Sequence, residues 1–191
     1  MSIVLHGVAA GKGIAIGHAH LITRGTTEVP QYDIDPDKLE AEVARFDNAI
    51  KATRKELEQL RGAIPENAPT ELGAFISLHL MLLTDVTLSR EPIDILREQK
   101  INAEWALKQQ SDKLAAQFDS IDDDYLRERK QDMLQVVRRI HNNLVGQSNE
   151  INLAGNLFDD TVLIAHDLSP ADTVLFKEQH ITAFVTDAGG P

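Results

Sequence analysis

The sequence predicts an α+β fold in which a four-helix bundle is inserted into a smaller α/β subdomain. Apolar residues recur at helical spacing between residues 36 and 146, whereas short β-branched runs stand before and after that region. Aromatic residues make up only 5% of the chain, so the core is expected to consist mainly of Leu, Ile, Val and Ala, which suits packed helices. The predicted helical subdomain covers residues 34–146, and the predicted α/β subdomain combines residues 1–30 and 148–191.

The composition narrows the classes of protein to which the chain can belong. Its 191 residues include 30 acidic and 19 basic side chains, a formal net charge of −11. Such a chain repels phosphate backbones and favours basic partners, so nucleic-acid binding is not expected. Because cysteine is absent, disulfides, Cys-based zinc sites and thiol catalysis are excluded. With neither a secretory signal nor a long apolar stretch, we expect a cytoplasmic protein without membrane contact.

The first two helical segments have clear start signals. Asp35 and Pro36 predict the start of a long helix, because Asp caps free amides and Pro is tolerated in the first turn. A second helix is predicted at residues 70–83, followed after a break by a segment at 88–99 with Pro92 in its first turn. The apolar stripe of the first helix consists of Leu39, Val43, Phe46, Ile50, Leu57 and Leu60.

Two more helices complete the predicted bundle. Asn102 is the predicted cap of the third, and the acidic cluster at residues 122–124 suits the N-terminus of the fourth, which ends at Gly146. Their expected core residues are Trp105, Leu107, Leu114 and Phe118 in the third, and Val136, Val137, Ile140 and Leu144 in the fourth.

The ends of the chain have the pattern of a sheet. Strands are predicted at residues 3–8 and 14–22 around a glycine turn, and again at 161–165 and 181–185, with a helix starting at Ser169 between the last two. This β-α-β order is typical of a partly parallel sheet. Because the N-terminal strands are too few to form a stable sheet alone, we expect them to join the C-terminal strands.

Two N-terminal motifs favour ordinary structural roles. The glycine-rich segment from Gly7 to Gly17 lacks the Gly-Lys-Ser/Thr ending of a P-loop and is followed by a strand, which favours a tight hairpin over a phosphate site. His18 and His20 share one strand face and with His6 form a possible metal site. No carboxylate stands at ligand spacing, so surface histidines are the preferred interpretation.

Five motifs in a fixed order carry a family resemblance. They are GIAIG at residues 13–17, HLMLL at 79–83, DDDYLRER at 122–129, DLSPADT at 167–173 and TDAGG at 186–190. Together they resemble enzyme I of the bacterial phosphoenolpyruvate-dependent sugar phosphotransferase system. The resemblance covers nearly the whole chain. It implies a helical subdomain that binds the phosphocarrier protein HPr, inserted into an α/β phosphohistidine (swivelling) subdomain that is cut before its active histidine.

The same resemblance implies which residues lie near the phosphorylated histidine. That histidine is expected after Pro191, so no catalytic residue is expected within this chain. In the family the equivalent of Thr173 hydrogen-bonds the active imidazole, and Arg129 would face the phosphate or the junction of the subdomains. An ordinary salt bridge on a helix remains the alternative for Arg129. The residues expected near the active site are Tyr125, Arg129, Thr173, Asp187, Gly189 and Gly190.

The resemblance also implies a docking surface for HPr on the second helix. Met81 and Leu82 are expected to make apolar contacts, and Glu71 and Asp85 to form an acidic rim around them. A stripe of ordinary core residues is the alternative interpretation of this apolar pattern. The implied docking residues are Glu71, His79, Met81, Leu82 and Asp85. Several carboxylates of the enterobacterial pattern are replaced here, by Thr70, Leu72, Gly73, Ser77, Val86 and Thr87. The charge complementarity is therefore expected to be weaker.

The implied activity is that of the parent enzyme, which takes phosphate from phosphoenolpyruvate onto a histidine and passes it to HPr during sugar uptake. Mg²⁺ and a homodimer interface belong to a C-terminal domain of the parent, so no cofactor or metal is expected in this chain, which should be inactive alone. One alternative is the phosphohistidine domain of a phosphoenolpyruvate synthase or pyruvate phosphate dikinase. Another is a non-catalytic helical adaptor.

Overall fold

The computed structural model divides into two compact units, each described by itself. The sheet unit comprises Met1–Gly25 and Ile151–Pro191, and the helical unit comprises Thr26–Glu150. For residues 124–128 the structure describes the backbone only. The described residues are 4, 6–9, 11–22, 29–66, 68–146, 160–166, 168, 176 and 181–187.

The helical unit contains the predicted helices, with the second segment divided in two. A 3-10 turn precedes the first helix, and Pro92 lies in the first turn of the fourth, as its sequence position predicts. The axis bends by 62° between the second helix and the segment that follows it. The elements are the turn Pro36–Lys38, α1 Leu39–Gly62, α2 Thr70–Thr84, α3 Val86–Ser89, α4 Glu91–Gln99, α5 Ala103–Asp119 and α6 Asp124–Leu144.

The core of the helical unit follows the predicted stripes only in part. In α5 Leu107 is buried, but Trp105, Leu114 and Phe118 are only half-buried, and so is Val137 in α6. The stripe of α1 is also shifted. Leu39 and Ile50 are only half-buried, whereas Ala49 and Thr53 are buried and escaped prediction. Thr53 is tolerated because its hydroxyl donates to the Ala49 carbonyl at 2.8 Å and accepts from Asn143 at 3.1 Å. The large side chains that are almost fully buried include Phe46, Leu57, Ile76, Leu83, Leu88, Leu96, Leu107, Val136 and Ile140.

Asp35 and Asn102 occupy the predicted N-cap positions, but neither side chain makes the expected cap hydrogen bond. The Asp35 carboxylate makes no cap hydrogen bond and instead accepts from Lys38 Nζ at 2.9 Å. Asn102 also makes no side-chain cap bond to α5. Its amide oxygen accepts from the Tyr32 N–H at 3.1 Å, and its Nδ2 donates to the Pro30 carbonyl at 3.0 Å. Asn102 therefore ties a segment some 70 residues earlier in sequence to the start of α5.

A polar network joins α1, α5 and the end of α6. Arg45 donates to Glu104 at 2.6 and 2.7 Å, to Glu42 at 2.6 and 3.0 Å, and to the Leu144 carbonyl at 2.9 Å. Burial alone would raise the pKa of Glu104, but hydrogen bonds from Arg45 and Asn102 lower that pKa below its usual range. The hydrogen bonds to Glu104 and Glu42 raise the pKa of Arg45, so Arg45 and Glu104 are both ionised near neutral pH.

Among the described residues of the sheet unit, three parallel strands lie in the order β1-β2-β3. They are β1 His18–Ile22, β2 Thr161–Ala165 and β3 Ile181–Thr186. The expectation that N-terminal and C-terminal strands share a sheet is confirmed, because His18 pairs with Thr161 and Ile22 with Ala165. The helix predicted from Ser169 lies outside the described residues.

The predicted N-terminal hairpin is wrong for the residues that the structure describes. Residues 4, 6–8 and 14–17 belong to no strand, and β1 begins only at His18, whose N–H donates to the Asp160 carbonyl at 2.7 Å. A Cβ on Gly17 would lie 2.1 Å from that same carbonyl oxygen, so glycine is needed for the close approach. Parallel pairing with β2 replaces a hairpin that would be marginal alone.

The two faces of the sheet differ. One face carries a buried cluster of Leu163, Ala165, Leu168 and Phe176, against which Ile22 and Ile181 pack. On the other face the register aligns Leu21, Ile164 and Val185 in one row. Leu21 and Val185 are 62% and 49% exposed, so this apolar row is open. Parallel sheets are normally covered on both faces, which makes the open row exceptional.

No single helix among the described residues combines the length and apolar character of a membrane span.

Candidate functional site

The predicted docking residues lie at or near the bend where α2 ends and α3 begins. Met81, in the last turn of α2, is 62% exposed, and Leu82 beside it is half-buried. Asp85 occupies the connection, and Val86, the first residue of α3, is also 62% exposed. We call Met81, Leu82, Asp85 and Val86 the α2–α3 corner. Glu71 is exposed in the first turn of the same helix.

Asp85 fixes the geometry of the corner. Its Oδ1 accepts from the Thr87 N–H at 2.8 Å and from the Thr87 hydroxyl at 2.7 Å, a side-chain cap on α3. These hydrogen bonds lower the pKa of Asp85, so its carboxylate is ionised at neutral pH. The corner therefore combines a fixed negative charge with two exposed apolar side chains.

A second carboxylate near the corner is already engaged within the helical unit. Glu91 Oε2 accepts from Gln110 at 2.9 Å and from Lys113 at 3.0 Å. The hydrogen bond from Lys113 lowers the pKa of Glu91 most, and that from Gln110 lowers it further. The nearby charge of Asp85 acts in the opposite direction. Of the carboxylates around α2, Asp85 and Glu91 thus already accept hydrogen bonds from side chains or backbone groups of the same unit.

The structure corrects the placement of His79. Its side chain is completely buried, so it cannot contact a partner at the surface as predicted. Its ring lies 4.1 Å from that of Phe75, centroid to centroid, and neither ring nitrogen has a hydrogen-bond partner among the described residues. Burial, with a smaller contribution from the charge of Arg139, lowers the pKa of His79 to about 4. The apolar neighbours of His79 on α2 place it in the core.

The residues expected near the active site are only partly described. Arg129 on α6 donates to Asp132 at 3.0 Å, the intrahelical salt bridge that was its alternative interpretation. A role toward phosphate remains a prediction. Of Tyr125 only the backbone is described, and Thr173, Gly189 and Gly190 lie outside the described residues.

Asp187 lies at the carboxyl edge of the sheet, directly after β3. Its Oδ1 is 2.6 Å from Nδ1 of His166, which directly follows β2. Both side chains are exposed. The carboxyl ends of neighbouring parallel strands are the usual place for ligand-contacting side chains, so the position of His166 after a predicted strand was a signal that the sequence analysis did not use. Among the described residues, no three His, Asp or Glu side chains form a metal-binding group.

The fold is that of a mixed α+β protein. Its two candidate sites are the α2–α3 corner of the helical unit and the carboxyl edge of the parallel sheet, at His166 and Asp187. Residues 6–129 match the model of the family described as "PEP-utilising enzyme, N-terminal". Because the match spans more than half of the chain, the chain belongs to that family of phosphoenolpyruvate-utilising enzymes.

Individual relatives narrow the assignment to the N-terminal region of enzyme I. The chain is 42% identical over 197 aligned residues to the phosphoenolpyruvate-protein phosphotransferase of Cupriavidus necator, covering 100% of this chain and 34% of that protein. The Bacillus subtilis protein of the same name is 34% identical over 190 residues, with 97% and 32% covered. The chain therefore spans about a third of the length of the curated relatives it matches.

Solved structures agree with this assignment. A solution NMR structure of the enzyme I protein nEIt superposes with a TM-score of 0.76 at 32% identity, covering 95% of this chain and 72% of that one. The N-terminal domain of "Enzyme 1 - Nitrogen" matches with a TM-score of 0.65 at 24% identity, over 93% and 71% of the two chains, and supports the fold alone.

Proposed function

We propose that this chain is the part of a phosphoenolpyruvate-protein phosphotransferase that binds the phosphocarrier HPr. The observation that carries the proposal is the α2–α3 corner, where exposed Met81 and half-buried Leu82 stand beside the ionised Asp85. With Glu71 on the same helix and a net charge of −11, the surface suits a basic partner with an apolar patch. In this proposal the protein works in the cytoplasm.

The phosphoryl-transfer step belongs to the whole enzyme in this proposal. The acceptor histidine is assigned to the chain after Pro191. Phosphoenolpyruvate, Mg²⁺ and the dimer interface are assigned to a further domain. Phosphoryl transfer depends on positioning of the reacting groups, so none of the seven histidines of this chain is expected to accept phosphate.

Titration of isotope-labelled protein with HPr, followed by NMR, tests the docking surface. Shifts are expected at Met81, Leu82 and Asp85. Met81→Ala should weaken binding about tenfold, because it removes an apolar side chain that HPr would bury on binding. Val145→Ala, which removes an exposed apolar side chain at the end of α6, is the matched control and should leave affinity unchanged. Shifts confined to the sheet unit, or no shifts at low salt, would contradict the proposal.

A phosphoenolpyruvate synthase or pyruvate phosphate dikinase fragment is the second candidate. The exposed apolar corner favours HPr docking over this alternative, because a domain that passes phosphate within one enzyme has no use for a protein-docking helix. Absence of HPr binding at low salt would favour the alternative. Transfer of label from phosphoenolpyruvate to this chain would instead show that the acceptor histidine lies within it.

A further inference from the structure

A histidine–aspartate pair stands at the carboxyl edge of the sheet, where two neighbouring parallel strands end. His166 and Asp187 directly follow Ala165 and Thr186, the last paired residues of β2 and β3. His166 Nδ1 and Asp187 Oδ1 are 2.6 Å apart, although the two side chains are 79% and 72% exposed. An exposed pair of this kind contributes little to folding stability, because water competes for both partners. The stability of the sheet therefore does not account for the pair.

The contact with Asp187 determines how the His166 ring presents its two nitrogens. A carboxylate oxygen only accepts hydrogen bonds, so the ring nitrogen that faces it, Nδ1, is the donor. The structure gives the other nitrogen, Nε2, no hydrogen-bond partner among the described residues. When the ring is protonated, Nε2–H is a second donor on the side of the ring away from Asp187.

The position of the pair favours contact with a ligand. Ligand-contacting side chains gather at the carboxyl ends of parallel strands in open α/β sheets. The strand period of two places His166 and Asp187 after Ile164 and Val185, on the face of the sheet that carries the open apolar row. An anion that approaches a chain with a net charge of −11 needs a local donor, and Nε2–H of His166 is such a donor.

We propose that His166 donates a hydrogen bond from Nε2 to the phosphoryl group during its transfer to or from the acceptor histidine, and that Asp187 is the positioning residue that orients the ring. The inference rests on the proposed function, which assigns the acceptor to the chain after Pro191. Asp187 is the last described residue of the chain and therefore the nearest to that acceptor in sequence. No covalent bond to His166 forms. A preorganised donor at the phosphoryl oxygens stabilises their negative charge in the transition state.

Nitrogen chemical shifts of the histidine rings test the orienting role of Asp187 with this chain alone. At about pH 9, above the range in which histidine side chains ordinarily titrate, His166 is expected to be protonated at Nδ1. Asp187→Ala should remove this preference. The exposed His6 provides the internal reference, because its shifts should be the same in both proteins. An unchanged tautomer of His166 in Asp187→Ala would overturn the orienting role.

Single-turnover phosphorylation of the whole enzyme by phosphoenolpyruvate tests the donor itself. His166→Phe keeps a ring at this position but has no nitrogen, and it should slow phosphorylation of the acceptor about tenfold. His166→Gln retains an N–H donor and should recover most of the rate. HPr affinity should be unchanged in both variants, because the proposed docking residues lie in the helical unit. His6→Phe is the matched control at another exposed histidine and should react at the unsubstituted rate.

The outcomes separate this inference from the proposed function. If the unsubstituted enzyme is phosphorylated and His166→Phe reacts at the same rate, the role of His166 is overturned and the proposed function stands. Equal slowing in His166→Phe and His166→Gln would also overturn it, because the effect would then not depend on a donor. Label on His166 itself would make it the acceptor rather than a donor. An unsubstituted enzyme that accepts no phosphate refutes both proposals.

Discussion

The helical unit and the sheet unit are stabilised in different ways. The helical unit encloses a core of almost fully buried side chains from all its longer helices, and a partly buried ionic network ties α1 to α5 and α6. The sheet unit buries one small cluster on one face, while Leu21 and Val185 remain open on the other. The helical unit is therefore expected to be the stable part of the chain. Three measurements test this difference.

Removing the centre of the ionic network should have the largest effect. Arg45→Met leaves the carboxylates of Glu42 and Glu104, 11% and 6% exposed, without their cation, at an expected cost of about 3–5 kcal/mol to the helical unit. Urea denaturation followed by the fluorescence of Trp105, the single tryptophan, reports on this unit alone.

Arg97→Met is the matched control for this loss. It breaks only an exposed pair with Glu40, whose side chain is 76% exposed, and should destabilise the helical unit far less than Arg45→Met does, because water screens an exposed pair. Equal losses for the two variants would show that the Arg45 network contributes no more than a surface ion pair.

Acid should destabilise the helical unit through His79. Its folded pKa of about 4 lies below the ordinary value of 6.5, so the unfolded state takes up a proton first as the pH falls. The contribution of His79 to stability is therefore fully present above about pH 6.5 and decreases toward pH 4, by at most about 1.4 kcal/mol per pH unit. His79→Leu removes the titrating group and should flatten this slope in Trp105-monitored melts. An unchanged slope would mean that the buried ring does not resist protonation.

Hydrogen exchange compares the two units directly and has the smallest expected effect. Amides of β2 and β3 should exchange at least about tenfold faster than those of residues 136–144 in α6, because fewer buried contacts hold the strands. Within the sheet, central β2 should be slower than the edge strands, which provides an internal reference. Equal protection in the sheet and α6 would show that the sheet unit is as stable as the bundle.

The sequence was sufficient where contacts are local or periodic. The helices could be located because their apolar stripes repeat every turn, and β2 and β3 because they are short β-branched runs. Asp35 and Asn102 occupy the predicted N-cap positions, but the cap hydrogen bonds expected of their side chains are absent. Asn102 instead bonds to Pro30 and Tyr32, and no local pattern reports on a partner some 70 residues away. The prediction of an N-terminal hairpin was wrong for the same reason, because β1 pairs with β2, which lies about 140 residues further along the chain.

The candidate site was predictable in part. Met81 and Asp85 are exposed and Leu82 is half-buried, but His79 on the same helix is buried. That the first three bind HPr stays a prediction. A single histidine in an apolar stripe has the same pattern whether it faces the core or the surface, so only packing decides. His166 was missed because its partner Asp187 lies on another strand, although its position at a strand end was visible in sequence.

The pairing of β1 with β2 has a consequence for synthesis of the protein on the ribosome. At ordinary rates of translation, a partner about 140 residues further along the chain appears roughly 7–30 s after β1 itself. During that interval the nascent chain contains a strand whose pairing partner has not been synthesised. The helices translated in between can already pack against one another. β1 is only five residues long and contains two histidines, which makes it a weak template for pairing with other nascent chains.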